Sequence, residues 1–266
     1  MISLFYTYPT VPGHRNDALA TRFVDSYLRT KSQLPHKLIV VCNGGPPDNE
    51  TIQLFQPAHC EFFQHDDSGW DIGGYIVAAR RSSADLVVCF GGSTYFPSAG
   101  WMDRIHKSWM DHGPGMYGAT ATFEVSPHLN TTAFWCPPQL LAEYPIRVIS
   151  KYQRYDFEHG PNALWKLVAA NGLPVKLVTW DGEYDWPDWR KPPNILRRGT
   201  QGNCLTWWHH VESYAKAPVA DRIRMSGLAD TITDPMFTNG PSPWGGLKDS
   251  VLDQSMRQFI GAHRFW

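Results

Sequence analysis

LVVCFGGSTYF, residues 86–96, decides the architecture. Its first half, Leu86–Phe90, is an unbroken apolar run that stops at Gly91 and Gly92, followed by Ser93, Thr94 and an aromatic pair. A strand with one solvated face would alternate polar and apolar side chains. An unbroken run of about four to eight residues, closed by turn residues, reads instead as a strand buried on both faces. The preceding segments repeat the alternation such a strand requires. ISLFYTY (2–8), KLIVVCN (37–43), CEFFQH (60–65) and DLVVCF (85–90) are strand-like; DALATRFVDSYLRTKS (17–32), DNETIQLFQ (48–56) and DIGGYIVAARRSS (71–83) carry helical signals between them. This series predicts an α/β fold with a mostly parallel central sheet and flanking helices. Right-handed crossovers then bring the strand ends to one edge, where open α/β sheets bind ligands.

Further along, GWMDRIHKSWMD (100–111) reads as a helix, MYGATATFEV (116–125) and HLNTTAFWC (128–136) as strands, and PPQLLAEYP (137–145) as a short helix. FEHGPNALWKLVAANG (157–172) reads as one helix closed by Asn171 and Gly172, and PVKLVTW (174–180) as a strand. Residues 181–203 are polar, aromatic and loop-rich, and long segments of this kind are more often functional than idle. Helical patterns at 219–231 and 247–260 form a C-terminal helical extension over 211–266. Residues 1–210 form the main domain, with halves of about 1–115 and 116–210.

At 266 residues the chain is long enough for one large α/β domain with an extension. A formal charge of −1 and the lack of any basic block beyond Arg197-Arg198 argue against a surface that wraps nucleic acid. Five cysteines, Cys42, Cys60, Cys89, Cys136 and Cys204, are widely spaced with no CxxC pair, which fits neither a disulfide framework nor a structural zinc site. The N-terminus reads as a first strand and not as a secretory signal, and no window reaches the roughly 20 apolar residues that span a bilayer. A cytoplasmic protein, soluble or at most peripheral to a membrane, is expected, with oligomeric state open. Aromatic residues make up 14% of the chain, more than a core needs, and their flat faces suit stacking on sugars and bases.

The order of these pieces resembles the GT-A (Rossmann-like) fold of nucleotide-sugar glycosyltransferases, in particular family-2-like and rhamnan-synthesis-type bacterial polysaccharide enzymes. KLIVVCNGGPPDNET (37–51) looks like that family's second strand and turn, and HDDSGWDIGGYIVAA (65–79) is similar to its NxGxDxxA segment. YDFEHGPNALWKLVAANGLPVKLVTW (155–180) resembles its acidic ED helix, and RRGTQGNCLTWW (197–208) its closing segment. The resemblance implies sugar transfer from a nucleotide-sugar donor to a carbohydrate acceptor in surface polysaccharide or glycan assembly, by inversion. Where the family carries Asp-x-Asp after its fourth strand, this chain has Gly91, Gly92 and Ser93, which offer a divalent cation no carboxylate. Metal independence with no cofactor is therefore expected, Asp66 and Asp67 being the residues to watch should Mg²⁺ or Mn²⁺ be used.

The resemblance assigns candidates. Glu158, at the expected start of the acidic helix, is the first choice for the catalytic base, with His159, Asp156, Asp181 and Glu183 as alternatives. A carboxylate at a helix N-terminus is, however, also stabilised by the dipole alone. Donor contacts fall on Thr7, Tyr8, Pro9, Asn43, Asp71, Gly91, Gly92 and Ser93, with Arg197, Arg198 and Gln201 (and Asn203) on the diphosphate, where guanidinium groups bind phosphate well. Asp71 reads equally as a helix cap. His128, Thr131, Trp186 and Trp189 are the acceptor candidates. Rival readings are a non-catalytic nucleotide- or carbohydrate-binding protein on the same fold, a transferase acting on DNA bases, and a nucleotidyltransferase. The last would need metal carboxylates and a phosphate loop that the sequence lacks.

Overall fold

The expected buried run is central. Strand β4 (Leu86–Phe90) is wholly buried and lies inside an eight-stranded sheet. A computed structural model describes residues 1–124, 126–191 and 195–229. The parallel half is β1 (Ile2–Pro9), β2 (His36–Asn43), β3 (Glu61–His65) and β4, linked by helices α1 (Asp17–Arg29), α2 (Asn49–Phe55) and α3 (Trp70–Ala79). Both α1 and α2 begin where the sequence supplies a cap: Asn16 accepts from the Leu19 N–H, and Asp48 from the Thr51 N–H. Helix α4 (Trp101–His112) leads into β5 (Met116–Gly118), β6 (Ala121–Thr122), β7 (His128–Leu129) and β8 (Ala133–Cys136). Helices α5 (Pro138–Ala142), α6 (Lys151–His159) and α7 (Leu164–Ala170) precede β9 (Val175–Val178) and β10 (Glu183–Asp185), and α8 (His209–Lys216) and α9 (Val219–Ala229) follow.

The sheet order is β10-β9-β5-β8-β4-β1-β2-β3. The fold is α/β with a mostly parallel central sheet and flanking helices. Strand β8 runs antiparallel between β4 and β5, while β5 and β9 are parallel to one another. Apolar side chains fill both faces, Tyr6, Phe23, Phe90 and Trp101 on one and Phe5, Tyr75, Phe134 and Phe157 on the other. Phe96 stacks on Trp101 at 3.9 Å and so anchors the loop that follows the glycines. All five cysteines are free, and among the described residues no helix is long and apolar enough to cross a membrane.

Several expected elements are corrected. The helix expected over 157–172 is two helices. A capping box between Ser150 and Gln153 starts α6 earlier, and Gly160-Pro161 ends it, because a proline disfavours helical geometry in the residue before it. Glu158 therefore sits at the C-terminal end of α6, not at a helix start. The two strands expected over 116–136 are four short ones, of which β6 and β7 pair as a separate ribbon. The loop 181–203 contains β10 and a short 3₁₀ turn, Asp188–Arg190. Helix α8 had no sequence expectation, and the pattern at 247–260 lies outside the described residues.

Candidate active site

The glycines after β4 act through close packing. A Cβ on Gly92 would stand 3.0 Å from the Thr7 carbonyl oxygen, and the Tyr6 hydroxyl donates to the Gly92 carbonyl at 2.7 Å. The Gly91 N–H donates to the Thr132 carbonyl (2.8 Å), which also accepts from Thr94 Oγ1 (3.0 Å). Because β8 is antiparallel to β4, the chain entering it at Thr132 lies against the C-terminal end of β4. Ser93 Oγ is 3.0 Å from Nδ1 of His209, the first residue of α8. These contacts gather α6, α8 and the β6–β7 ribbon around a cavity of about 230 Å³ lined by Glu124, His128, Arg154, Glu158, His159 and Trp208, among others.

Glu158 is buried in this wall. Its Oε1 accepts from Thr131 Oγ1 (2.7 Å) and the Thr131 N–H (3.2 Å), and its Oε2 from Arg154 Nη1 (3.3 Å). His159 Nε2 lies 3.4 Å from Oε2 and His128 Nε2 4.0 Å from Oε1. Burial alone would raise its pKa, but His159, Arg154, His128 and the Thr131 hydroxyl outweigh it and bring the carboxyl down to about 2. Arg154 is shared: its Nε and Nη2 donate to Asp71 at 2.7 and 3.1 Å. A chain Asp71–Arg154–Glu158 thus links α3 to α6.

Glu124 has the opposite electrostatics. It is 7% exposed, and burial raises its pKa to about 7 although Arg197 Nη1, 2.6 Å from Oε1, works against the rise. The folded carboxyl is protonated where a free one, near 4.5, is not. Between pH 4.5 and 7 the native state therefore binds the extra proton, and this group's contribution to stability falls as pH rises, by at most about 1.4 kcal/mol per unit. Urea unfolding at pH 5 and 8 is expected to show less of this loss in Glu124→Gln than in the parent chain. An unchanged difference between the two would place the proton elsewhere.

No protein-family profile and no curated protein sequence matches the chain. Among solved structures it is similar to a mannosyltransferase from Pyrobaculum calidifontis in complex with GDP-Man and Mn²⁺, with 13% identity and a TM-score of 0.47 over 97% of this chain and 82% of that one. It is also similar to mouse xyloside xylosyltransferase 1 (9% identity, TM-score 0.43, 64% of this chain and 82% of that one). A nucleotidyl transferase from Methanothermobacter is similar at 14% identity and TM-score 0.40, over 66% of this chain and 85% of that one. Likeness at this level describes architecture alone.

The sequence candidates divide accordingly. Glu158, His159 and His128 meet at the cavity, and Ser93 reaches it through His209. Thr131 is buried and spends its hydroxyl and N–H on Glu158, so it positions that carboxylate rather than an acceptor. Trp189 is fully buried, with Nε1 donating to the Tyr184 carbonyl (2.9 Å), and has no face for a sugar. Trp186 is 45% exposed and stacks on Phe123. Gln201 is buried and commits its amide to the backbone of Arg197, Ile195 and Arg198. Arg197 is drawn to Glu124, and Arg198 is half-buried on the same turn.

Asp181 and Asn203 tie the β9–β10 turn: Asp181 Oδ1 accepts from Thr179, Tyr184 and Asn203. Glu183 pairs with Arg104 at 2.5 Å, and Asp156 accepts from Asn162, so neither alternative base lines the cavity. Asp71 is not the cap of α3, a role taken by Gly69 in left-handed geometry. Thr7 and Asn43 are buried at the ends of β1 and β2, Tyr8 bonds Asp17, and Pro9 is half-buried. Asp66 is exposed and Asp67 half-buried in the turn after β3. The β4 end itself offers no carboxylate, so it does not fit a divalent cation. Glu124 was missed in the sequence, since nothing local marks it and its partner Arg197 lies 73 residues away.

Proposed function

We propose that this chain transfers a glycosyl group from a nucleotide-sugar donor to a hydroxyl of a carbohydrate acceptor, by inversion, in glycan or surface polysaccharide assembly. The observation that carries the reading is Glu124, a carboxylate with a pKa of about 7 in the wall of a cavity beside the C-terminal end of the central strand. Direct displacement needs one base that removes the acceptor proton as the anomeric carbon leaves its diphosphate, and such a base works best with a pKa near the operating pH. Glu124 meets that requirement better than Glu158, whose two oxygens are already engaged. Thr7, Pro9 and Asn43, at the ends of β1 and β2, would border the nucleotide, and Trp186 on Phe123 would give the acceptor an apolar face.

One observation favours the non-catalytic reading. Arg154, which lines the cavity, and Arg197, which pairs with Glu124 in its wall, are both drawn to carboxylates, which leaves less positive charge for a diphosphate. Thermal unfolding with UDP, GDP, dTDP and CMP, each with EDTA and with Mn²⁺, separates the readings. A ligand bound only by the native state stabilises it by about 2.7 kcal/mol at a hundredfold excess over Kd. One nucleotide is expected to do so, and its sugar conjugate to turn over with a carbohydrate acceptor. Binding without turnover would make the chain a binding protein, and binding of none would end the transferase reading.

A further inference from the structure

The end of β4 offers a divalent cation no carboxylate, but the cavity beside it is lined by side chains that could hold an ion. Among the described residues, His128, Glu158 and His159 form a grouping whose ligand atoms all lie within 4.8 Å of one another. We propose that these three side chains bind one divalent transition-metal ion. The proposal goes beyond the transfer reading and does not depend on it.

The geometry is close to what an ion needs. Ligands about 2.0–2.1 Å from a tetrahedral ion stand roughly 3.4 Å apart. His159 Nε2 is already 3.4 Å from Glu158 Oε2, His128 Nε2 is 4.0 Å from Oε1, and the ligand atoms all lie within 4.8 Å of one another, so side-chain shifts on the order of 1 Å close the set. The ligands come from two segments, β7 and the last turn of α6, which an ion would tie together. They also face a cavity, which leaves room for water or a substrate oxygen to complete the coordination.

The surrounding groups prepare the ligands. His128 Nδ1 donates to the Ser126 carbonyl at 2.7 Å, which fixes the tautomer that leaves Nε2 its lone pair, as outer partners of metal-bound histidines do. Thr131 holds Glu158 from the other side through its N–H and hydroxyl. Arg154, 3.3 Å from Oε2, is the group that opposes an ion, but Asp71 takes two of its hydrogen bonds. Asp71 and Glu158 carry two negative charges against the one of Arg154, so the cluster keeps a net negative charge that attracts a cation. His159 Nδ1 is 3.1 Å from His128 Nδ1; binding moves the His159 proton from Nε2 to Nδ1 and ends that contact. Two imidazoles with one carboxylate favour Zn²⁺, Fe²⁺ or Co²⁺ over Mg²⁺ and Ca²⁺, which take oxygen ligands.

The test is titration of the full-length, chelator-stripped chain with Co²⁺, read by its visible absorption, with Zn²⁺ as competitor. One equivalent is expected to develop the band and Zn²⁺ to remove it. His159→Gln is expected to weaken uptake by at least the about 10- to 100-fold that loss of an outer partner costs, and Asp66→Asn/Asp67→Asn to leave it unchanged. His159, at the end of α6 and half-buried, is replaced in preference to Glu158, whose loss would strand Arg154; an unchanged thermal midpoint of His159→Gln in EDTA shows that it folds. If His159→Gln does not fold, His128→Gln is read in the same way. No band at one equivalent in the parent chain, or a band that persists in the folded variant, overturns the proposal. Nucleotide binding in EDTA, measured on the same preparation, reports on glycosyl transfer separately.

Discussion

On the proposed transfer, Glu124→Gln is expected to lower kcat by about 10²- to 10⁴-fold, the usual worth of general acid–base catalysis, with nucleotide affinity unchanged. Glutamine keeps an oxygen for Arg197 Nη1, 2.6 Å away in the parent chain, so the loss falls on proton transfer and not on the architecture of the wall. The pH profile carries the sharper test. A base acts only when ionised, and burial sets this carboxyl at about 7. In the parent chain kcat/KM is therefore expected to rise about tenfold per pH unit below that value and to level off above it. The variant loses this limb. Rates for a matched donor and acceptor between pH 5 and 9 check both statements, and a variant within threefold of the parent would remove Glu124 from the mechanism.

Arg154→Met is expected to cost about 3–5 kcal/mol of stability, the range for breaking a buried ion pair by removing one partner. The arginine answers two carboxylates, Asp71 and Glu158, and both lose their counter-charge together. In a domain of this size each kcal/mol is worth about 2–4 °C of Tm, so a drop on the order of 10 °C follows. Glu158 suffers most, because a carboxylate at the C-terminal end of a helix already faces the negative end of the dipole. Adding Asp71→Asn and Glu158→Gln to Arg154→Met is expected to recover part of the loss, since no unpaired charge remains. Calorimetry of the single and triple variants measures it, and a single variant within about 1 °C of the parent would show that the chain is not a structural tie.

The parallel half of the fold was legible because its central strands β1 and β4 are buried almost throughout and two of its helices carry side-chain caps, at Asn16 and Asp48. The sequence misled where one pattern ran on across a break. Phe157, Leu164 and Val168 are all buried, so apolar spacing continues through Gly160-Pro161 as though one helix did. The Ser150–Gln153 pair was the local sign of the true start. Trp189 misled differently: DWPDWR is polar and reads as exposed, yet the loop folds onto Trp165 and buries one of its tryptophans. The site was legible in part. His128, Glu158 and His159 were named, but their meeting depends on strand direction in β8, and the elevated pKa of Glu124 on burial by distant segments.

Strand order has a consequence for the growing polypeptide. Strands β1 to β4 pair with one another through residue 90, so this half of the sheet can form while the remainder is still being synthesised. The cavity cannot, because it needs Glu124, α6 and the histidines at 209 and 210. During synthesis Thr132 reaches the end of β4 first, but the cavity beside it stays open for more than a hundred residues after the strand, until His209 and His210 have been made.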